Sequence, residues 1–534
     1  AVARPTRRPA GSPVPSSRVA MPVLLWLRAL AACTLLRGGA LAASDWHGRS
    51  IYFVVTDRFA RGDGDAAPPC SGKEWCGGTL RGLRQKLDYI RGMGFDALWI
   101  TPVVKQVDWR DSWNGTGYHG YWAADFSRID PHLGTEDDLL DLRKACTARG
   151  MLLMLDIVAN HVGPIHSIDH VRRLGAPLNR IGGEQFHQLG RQPSESFASY
   201  MKHPTVCSAP HCWPDYGPSC NMTVVEQGWF GDLADLRQEH DETRAFLLSW
   251  VKDMVTRYGL DGLRLDTAIY MPRWFLAALQ KAAGVYVIGE VVTHNFTFHR
   301  SYNPPLEGLL NFPVAGRLPE IFRPDGSLLL LQDLLRKEEA SGYPDQHLLG
   351  NFVDNHDGER FLRSQGGDLS QVRNGLAWTL LHHGIPIVYY GTEQVAVSDR
   401  EDMRVSMWPH YGATDLYDFL AQLNALRRAY GLSAGGRYVA EPAKVVSAAP
   451  GALAFVRGEL LVLLTNAGAG GAAAEACLAA AELPGRWSSA CGRVRAILGD
   501  TAAASCEGGR LCLRTERGEP AVFAVSDTWQ TWIV

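Results

Sequence analysis

The chain has 534 residues, of which 46% are hydrophobic and 20% charged, a composition typical of a globular protein with more than one domain. Its formal net charge is −3, and this becomes −9 when residues 1–43, which carry six arginines and no acidic residue, are set aside. A negative balance does not favour nucleic acid or another polyanion as a partner. Beyond the N-terminal region, no apolar run is long enough to cross a membrane.

The first 43 residues differ from the rest of the chain. Residues 1–20 are rich in Pro, Arg and Ser, and Met21 then opens an apolar run that Arg28 interrupts. Ala40 and Ala42 form an A-x-A site near the end of that run. The pattern predicts a secretory signal peptide cleaved near Ala42, and therefore a secreted, extracellular protein. Residues 1–20 are then either a disordered extension or a segment before a true start at Met21. The C-terminal DTWQTWIV has no hydrophobic tail, so no lipid anchor is predicted.

From Ile51 to Gly391, eight short apolar runs alternate with amphipathic helical patterns. In chain order the runs are IYFVV, ALWI, MLLMLDIV, GLRLD, VYVIGE, GLLNF, LLGNFVDNHD and IPIVYYG. Eightfold strand–helix alternation predicts an α/β fold, a closed parallel (β/α)8 TIM barrel. The alternative is an open doubly wound sheet, but no Gly-rich phosphate loop follows the first strand.

Two stretches fall outside this alternation. About seventy residues, rich in Pro, Gly, His and Cys, separate the third run from the helix before the fourth, which predicts an inserted subdomain. After about Gly436 the sequence becomes Gly- and Ala-rich with short β-like runs, which predicts a small antiparallel β-sandwich. The predicted organisation is residues 1–43 as extension and signal peptide, 44–160 and 233–436 as the two parts of a catalytic barrel, 161–232 as the insert, and 437–534 as the sandwich.

The cysteines agree with secretion, because most of them lie in loop-like segments and predict disulfides whose pairing stays open. They are Cys70, Cys76, Cys207, Cys212, Cys220, Cys477, Cys491, Cys506 and Cys512. Zinc binding is the alternative, but no histidines interleave at ligand spacing. Cys146 lies on a helical pattern and is expected to be a free buried thiol. N-x-T sequons begin at Asn114, Asn221 and Asn295, as in a glycosylated secreted protein.

Charged and polar side chains gather at the predicted strand ends, where barrel enzymes carry their catalytic groups. Residues two apart in a strand face the same side, so Arg264 and Asp266 are expected to face the barrel mouth while Leu263 and Leu265 face the helices. The guanidinium would keep the neighbouring carboxylate ionised. The other strand ends offer Asp156, Asn160, His161, Glu290, His356 and Asp357.

Carboxylates from the fourth, fifth and seventh strands suggest cleavage of a glycosidic bond. That reaction needs a carboxylate nucleophile and a carboxylic acid that protonates the leaving oxygen. Taken singly, each acid would more simply be a solvated loop charge or part of an ion pair. As a set at strand ends, they indicate an active site.

With these motifs, the sequence resembles the α-amylase family of retaining glycoside hydrolases, and within it the secreted fungal-type enzymes. The resemblance covers nearly all of the chain after residue 43, from DWHGRSIYFVVTDRFAR through GYHGYW, DIVANH, GLRLD, GEV and FVDNHD to GIPIVYYGTEQ. It implies that Asp266 is the nucleophile, Glu290 the general acid/base and Asp357 the transition-state stabiliser. It also implies substrate-binding roles for His119, Tyr121, Trp122, His161, Arg264 and His356.

The resemblance further implies a calcium ion where the insert meets the barrel. The side chains of Asn160, Glu226 and Asp235 and the backbone carbonyl of Tyr270 match its ligands. All four are hard oxygen donors suited to Ca²⁺. The alternative for Asp235 is an N-cap role before the next helix.

The sequence departs from the family at several positions. The family's lysine and histidine after the nucleophile, which contact the leaving sugars, are Ile269 and Tyr270 here. Asp399 and Arg404 only loosely echo an Asp/Arg pair that follows the eighth strand. A half-cystine expected near Gly228 is missing.

The resemblance thus predicts a secreted, monomeric, calcium-dependent α-amylase that cuts internal α-1,4-glucosidic bonds of starch, glycogen and maltooligosaccharides. One alternative is a related α-glucan enzyme: an α-glucosidase, a maltogenic amylase or a transglycosylase. Another is a non-catalytic glucan-binding homologue. The presence of all three carboxylates argues against that last alternative.

Overall fold

The structure is a computed structural model that describes residues 42–111, 115–187, 212–398 and 402–525. The predictions for the signal peptide up to residue 41, for Asn114, for Cys207 and for Asp399 lie outside the described residues.

Eight parallel strands form one sheet at the centre of the fold. They are β1 (Ile51–Val54), β2 (Ala97–Ile100), β3 (Leu152–Ile157), β4 (Gly262–Leu265), β5 (Tyr286–Gly289), β6 (Gly308–Leu309), β7 (Gly350–Asn351) and β8 (Ile385–Tyr389). Their order in the sheet is β6-β5-β4-β3-β2-β1-β8-β7. A parallel bridge between Leu310 and Gly350 links the two edge strands, so the sheet is nearly closed as a barrel. The predicted barrel is therefore confirmed, and each of its eight strands lies within a predicted apolar run.

Helices surround the sheet, and local sequence sets their ends. The Thr135 hydroxyl accepts a hydrogen bond from the Asp138 N–H while the Asp138 carboxylate accepts one from the Thr135 N–H, a capping box at the start of its helix. Gly259, with φ 60°, ends a later helix in the left-handed conformation that glycine adopts without strain. The longer helices are Glu136–Ala148, Asp241–Tyr258, Arg273–Ala283, Leu328–Ala340, Leu369–Leu381 and Asp415–Ala429. The shorter ones are Thr56–Phe59, Leu80–Gln85, Leu87–Gly92, Ile168–Arg172, Met222–Gln227, Phe296–Arg300, Phe312–Ala315, Leu318–Ile321, Phe361–Ser364 and Val395–Ser398.

Two small antiparallel ladders extend the region above β2 and β3. One pairs Val104–Gln106 with Ala123–Ile129. The other pairs His161–Pro164, just after β3, with Leu233–Asp235. The second ladder joins the two ends of the predicted insert, and so it fixes where the chain leaves and re-enters the barrel.

The C-terminal region forms two antiparallel sheets that share a core, which confirms the predicted sandwich. The strands are β9 (Lys444–Ala449), β10 (Ala452–Arg457), β11 (Leu460–Thr465), β12 (Ala474–Ala479), β13 (Val494–Leu498), β14 (Ala503–Glu507), β15 (Arg510–Thr515) and β16 (Ala521–Val525). One sheet has the order β9-β10-β11-β16-β13 and the other β12-β15-β14. In β10, Ala454 packs between the two sheets, whereas its neighbour Phe455 packs against the barrel.

Disulfides close several loops of the described chain. The pairs are Cys70–Cys76, Cys212–Cys220, Cys477–Cys512 and Cys491–Cys506. Cys146 is free and buried, as predicted. Within the described ranges, no helix is long and apolar enough to cross a membrane.

Candidate active site

Arg264 lies at the centre of a buried cluster of acids at the barrel mouth. Strand register places it beside Asp156 of β3 on one side and Ile288 of β5 on the other. Its Nη1 donates to Asp156 at 3.0 Å and to Asp266 at 2.7 Å, and its Nη2 lies 2.8 Å from Oε1 of Glu290. One guanidinium therefore brings together two of the three predicted catalytic acids.

Asp156 is the acid of this cluster that contacts the most side chains. Its carboxylate accepts hydrogen bonds from Arg264, from the Trp99 indole at 3.2 Å and from the Tyr121 hydroxyl at 2.8 Å. Burial raises the pKa of Asp156 to about 7, against the lowering effect of Arg264. Asp156 thus fixes both the arginine and the predicted aromatic platform, a role that was not predicted.

Glu290 is set up as a proton donor. Burial raises its pKa to about 8, and the nearby charges of Asp266 and Asp357 add to this while Arg264 opposes it. The N–H of Thr267 donates to Glu290 Oε2 at 2.9 Å, and the Thr267 hydroxyl donates to Asp266 Oδ2 at 3.0 Å. Glu290 therefore keeps its proton at neutral pH, while Asp266 receives donors suited to a carboxylate.

Thr267 reaches both acids because its backbone is unusual. Its φ is 48°, in the left-handed region that a β-branched residue rarely adopts. Such strain persists only where the surrounding structure enforces it, and it is common at functional sites. Sequence reasoning missed this residue, because nothing in the letters GLRLDTAIY specifies the conformation.

Asp357 approaches the cluster from the loop after β7. Arg404 donates through Nη2 to its Oδ1 at 2.6 Å and through Nε to the His356 carbonyl at 2.8 Å. The Asp357 side chain is 47% exposed at the mouth of the site. The surrounding protein opposes its ionisation, but its contacts with His356 and Arg404 lower its pKa to about 2. The carboxylate form of Asp357 is therefore favoured at neutral pH. Arg404, which the sequence comparison set aside, is the cation that contacts it.

The predicted sugar-binding side chains surround these acids. The Tyr121 ring stacks on His356, with centroids 5.2 Å apart, and lies 5.6 Å from His119. Trp122 stands edge-on to His119 at 4.9 Å. Burial lowers the pKa of His161, and it lowers that of His356 to about 3. Both rings are therefore neutral. His161 Nε2 and His356 Nδ1 have no hydrogen-bond partner within the part of the chain that the structure describes.

The alpha amylase catalytic domain family matches residues 53–283 of the chain. The α-amylase of Saccharomycopsis fibuligera is 34% identical over 436 residues, which cover 80% of this chain and 83% of that protein. The chain belongs to the α-amylase family.

Two further similarities agree with this membership. Alpha-amylase 1 of Lipomyces kononenkoae is 37% identical over 399 residues, covering 72% of this chain and 59% of that protein. The solved structure of an α-amylase from Malbranchea cinnamomea matches with a TM-score of 0.78 and 35% identity, covering 91% of this chain and 98% of the other.

Two of the ligands that α-amylase family membership led us to expect for calcium lie side by side. The Leu236 N–H donates to the Asn160 carbonyl at 2.7 Å, which places Asn160 next to Asp235. Both side chains are buried, and among the described residues neither Asn160 Oδ1 nor Asp235 Oδ1 has a hydrogen-bond partner. Burial raises the pKa of Asp235 to about 7, against the effects of His187 and Asn160. Two buried, unsatisfied oxygens fit the preference of Ca²⁺ for hard donors.

The other two expected ligands lie on elements that pack together. Glu226 is on helix Met222–Gln227, and this helix packs against the turn Ala268–Tyr270 that carries the Tyr270 carbonyl. Burial raises the pKa of Glu226, which a nearby cation would offset. The alternative role for Asp235 is wrong, because the following helix begins at Asp241 and its N-cap is His240.

A second group of ligand-type side chains lies at the other end of the ladder His161–Pro164 with Leu233–Asp235. His166 Nε2 lies 3.2 Å from Asp111 Oδ2 and 3.4 Å from Asp232 Oδ2. One ligand atom from each residue lies within 4.8 Å of the others, so the group could hold a metal ion. The sequence did not reveal this group because its members come from three separated segments.

Ile269 and Tyr270, which replace the lysine and histidine expected after the nucleophile, are both buried. Ile269 is 1% exposed and belongs to the core, and its carbonyl accepts a hydrogen bond from the Tyr302 hydroxyl at 3.0 Å. The Tyr270 ring stacks on Phe230, with centroids 5.7 Å apart. Phe230 is 40% exposed. The surface beside this turn is therefore aromatic.

Proposed function

We propose that the protein is a retaining, endo-acting α-amylase that hydrolyses α-1,4-glucosidic bonds of starch, glycogen and maltooligosaccharides. One observation carries the proposal: Arg264 holds Asp266 and Glu290 on its two terminal nitrogens, and burial raises the pKa of Glu290 to about 8. Retaining glycosidases need carboxyl groups only about 5–5.5 Å apart, and acids that share one guanidinium are suitably close.

The chemistry follows from the state of each group. Asp266 attacks the anomeric carbon while Glu290 gives its proton to the leaving oxygen, and a covalent glycosyl-enzyme forms. Glu290 then takes a proton from water, which hydrolyses the intermediate. Asp357, held ionised by Arg404, stabilises the positive charge of the oxocarbenium-like transition state.

The sugar at the cleavage point would contact two histidines and an aromatic ring. His161 Nε2 and His356 Nδ1 lack protein partners among the described residues and so suit hydrogen bonds to sugar hydroxyls. The Tyr121 ring offers a face for the pyranose, with His119 and Trp122 beside it. The Asp156 carboxylate fixes that ring through the Tyr121 hydroxyl.

Calcium would bind to Asn160, Glu226, Asp235 and the carbonyl of Tyr270. When bound, the ion supplies positive charge to buried oxygens and links segments on both sides of the insert boundary. We accordingly assign residues 161–232 to a calcium-associated insert between the barrel parts 44–160 and 233–436, with 437–534 as the sandwich.

We also infer a secreted, monomeric glycoprotein. Four disulfides in the described chain support an oxidising compartment. The sequon at Asn221 is exposed, whereas the Asn295 side chain accepts a hydrogen bond from the Phe298 N–H as a helix cap. Asn221 is therefore the better acceptor of the two.

The test is to incubate the purified chain with soluble starch and assay new reducing ends. We expect activity from the native chain and none above background from folded Asp266→Asn. Near-native turnover by that variant would refute the nucleophile assignment. Products from maltoheptaose then separate an endo-acting enzyme, which cuts internal bonds, from an α-glucosidase or a transglycosylase.

A further inference from the structure

His187 is the one buried histidine of the described chain whose two ring nitrogens each contact a carboxylate. Its Nδ1 lies 2.6 Å from Asp235 Oδ2 and its Nε2 lies 2.7 Å from Glu239 Oε2. Both contacts are of hydrogen-bond length, one to each side of the ring. The imidazole is thereby clamped between two acids.

The backbone around this ring is fixed as well. The His187 N–H donates to the Asp235 carbonyl at 3.0 Å, and the His187 carbonyl accepts from the Trp229 indole at 2.8 Å. The ring is therefore attached to the second strand of the ladder by both its main chain and its side chain. It has little freedom to turn away from Asp235.

Because of the contact with His187, the two oxygens of the Asp235 carboxylate have different surroundings. Oδ2 is occupied by the ring, whereas Oδ1 is buried and has no hydrogen-bond partner among the described residues. Asn160, which lies just before the strand His161–Pro164, likewise has a buried Oδ1 without a partner among the described residues. A carboxylate free to rotate would not reliably present one oxygen beside the Asn160 amide.

We propose that His187 is a positioning residue for the calcium site: it holds Oδ2 of Asp235 so that Oδ1 stays available, with Asn160 Oδ1, to a hard cation. The inference rests on the calcium site of the proposed function and adds a residue that does not itself bind the ion. Residues that orient a metal ligand typically change metal affinity by about 10- to 100-fold when replaced.

Two amide substitutions distinguish a positioning role of His187 from a role in which its side chain only fills space. The amide nitrogen of asparagine takes roughly the place of Nδ1, so His187→Asn keeps a donor for Asp235 and loses Glu239. The amide nitrogen of glutamine takes roughly the place of Nε2, so His187→Gln keeps Glu239 and loses Asp235. We expect His187→Gln to lose about 10- to 100-fold in calcium affinity and His187→Asn to retain most of it.

The measurement is Ca²⁺ titration of the calcium-stripped full chain, by calorimetry or against a chelating indicator. The melting temperature in chelator is recorded beside it. His299→Gln is the matched control, because His299 is also buried and also uses both nitrogens, on the Tyr343 hydroxyl at 2.7 Å and the Leu310 carbonyl at 3.1 Å. It should lower the melting temperature in chelator and leave calcium affinity unchanged.

Native calcium affinity in His187→Gln would overturn the inference. Equal losses in His187→Gln and His187→Asn would also overturn it, because they would show a packing role. If the native chain binds no calcium, the calcium site itself is refuted. If the native chain binds calcium and both His187 variants bind it with the same affinity, the site stands and the role of His187 is refuted.

Discussion

Two polar clusters of the described chain differ in the contacts that their oxygens make. At the barrel mouth, Arg264 contacts Asp156, Asp266 and Glu290, and Arg404 contacts Asp357. Beside it, Asn160 and Asp235 each keep a buried oxygen that no donor of the described chain reaches. The acids of the first cluster contact arginines of the chain, whereas Asn160 and Asp235 of the second each keep one buried oxygen without a donor among the described residues.

The difference separates chemistry from stability. A buried polar group without a partner costs about 1–3 kcal/mol, so the second cluster favours any state in which a cation supplies the missing contact. The acids of the first cluster already contact two arginines of the chain, Arg264 and Arg404. We therefore expect changes in the first cluster to abolish turnover with little effect on folding, and changes in the second to do the reverse.

The largest effect is expected from the acids of the first cluster. Glu290→Gln should lower kcat on starch by about 10²- to 10⁴-fold, because proton transfer to the leaving oxygen is lost. On α-maltotriosyl fluoride, whose leaving group needs no proton, the first step should be close to native. Asp266→Asn should be inactive on both substrates, because both need the nucleophile.

Melting temperatures of the two variants supply the control for this pair and should stay near that of the native chain. Equal activity losses on fluoride and starch in Glu290→Gln would contradict its role as the acid. A large drop in melting temperature would contradict the separation of the two clusters.

Removing calcium should act on the second cluster alone. An ion present at 100 times its Kd stabilises the folded state by about 2.7 kcal/mol, or roughly 100-fold in the folding equilibrium. Exhaustive chelation should therefore lower the melting temperature, and added Ca²⁺ should restore it. The Asp266→Asn variant, whose second cluster is intact, should show the same shift. If metal analysis finds no ion and chelation leaves melting unchanged, the site is refuted.

The pH dependence of kcat/KM sharpens the description of the first cluster. Glu290 must be protonated to act, and its pKa of about 8 keeps it so at neutral pH. The proton is lost as pH rises through that value, so kcat/KM on maltohexaose should fall about tenfold per pH unit above it. The fluoride substrate should lack this alkaline limb. The same limb on both substrates would assign it to another group.

The smallest effect is expected at the aromatic surface beside the turn Ala268–Tyr270. In the proposed mechanism Glu290 protonates the leaving oxygen, which puts the leaving sugars on its side. The Ile269 N–H donates to the Glu290 carbonyl at 3.3 Å, so this turn lies beside Glu290. Loss of stacking costs about 0.5–1.5 kcal/mol, so Phe230→Ala should lower kcat/KM on maltohexaose roughly 2- to 10-fold and shift the bond that is cut.

Phe230→Tyr should preserve native behaviour, and α-maltotriosyl fluoride should be unaffected by either change. Unaltered products from Phe230→Ala would show that this ring does not contact substrate. Ile269→Lys is a poorer test of the same surface, because Ile269 is buried and its replacement would place a charge in the core.

The barrel and the meeting of Arg264, Asp266 and Glu290 at its mouth could be predicted from the sequence, because both depend on local pattern. The sugar-binding and calcium residues were expected only from the family resemblance. Eight apolar runs specify eight strands, and residues at strand ends meet at one edge whatever the loops do. Asp266 and Glu290 could therefore be placed before the structure was known. The disulfide pairing could not, since Cys477 and Cys512 pair only through the register of two antiparallel strands.

The missed residues depend on contacts between distant segments or on backbone conformation. Arg404 reaches Asp357 across 47 residues, and the altered spacing after β8 hid the contact. His187 reaches Asp235 across 48 residues. The left-handed backbone of Thr267 is imposed by its surroundings. None of these follows from periodicity, because each is decided by how loops of the barrel mouth pack.

The five-stranded C-terminal sheet contributes side chains to two separate hydrophobic cores. Leu461 and Leu463 face the other sheet of the sandwich, while Val462 and Leu464 belong to the barrel's core. Arg457 donates to the carbonyl of His382 at 2.6 Å and so links this sheet to the end of the helix Leu369–Leu381. Removing the residues after about 436 would therefore expose an apolar side of the barrel, and the shortened chain should aggregate.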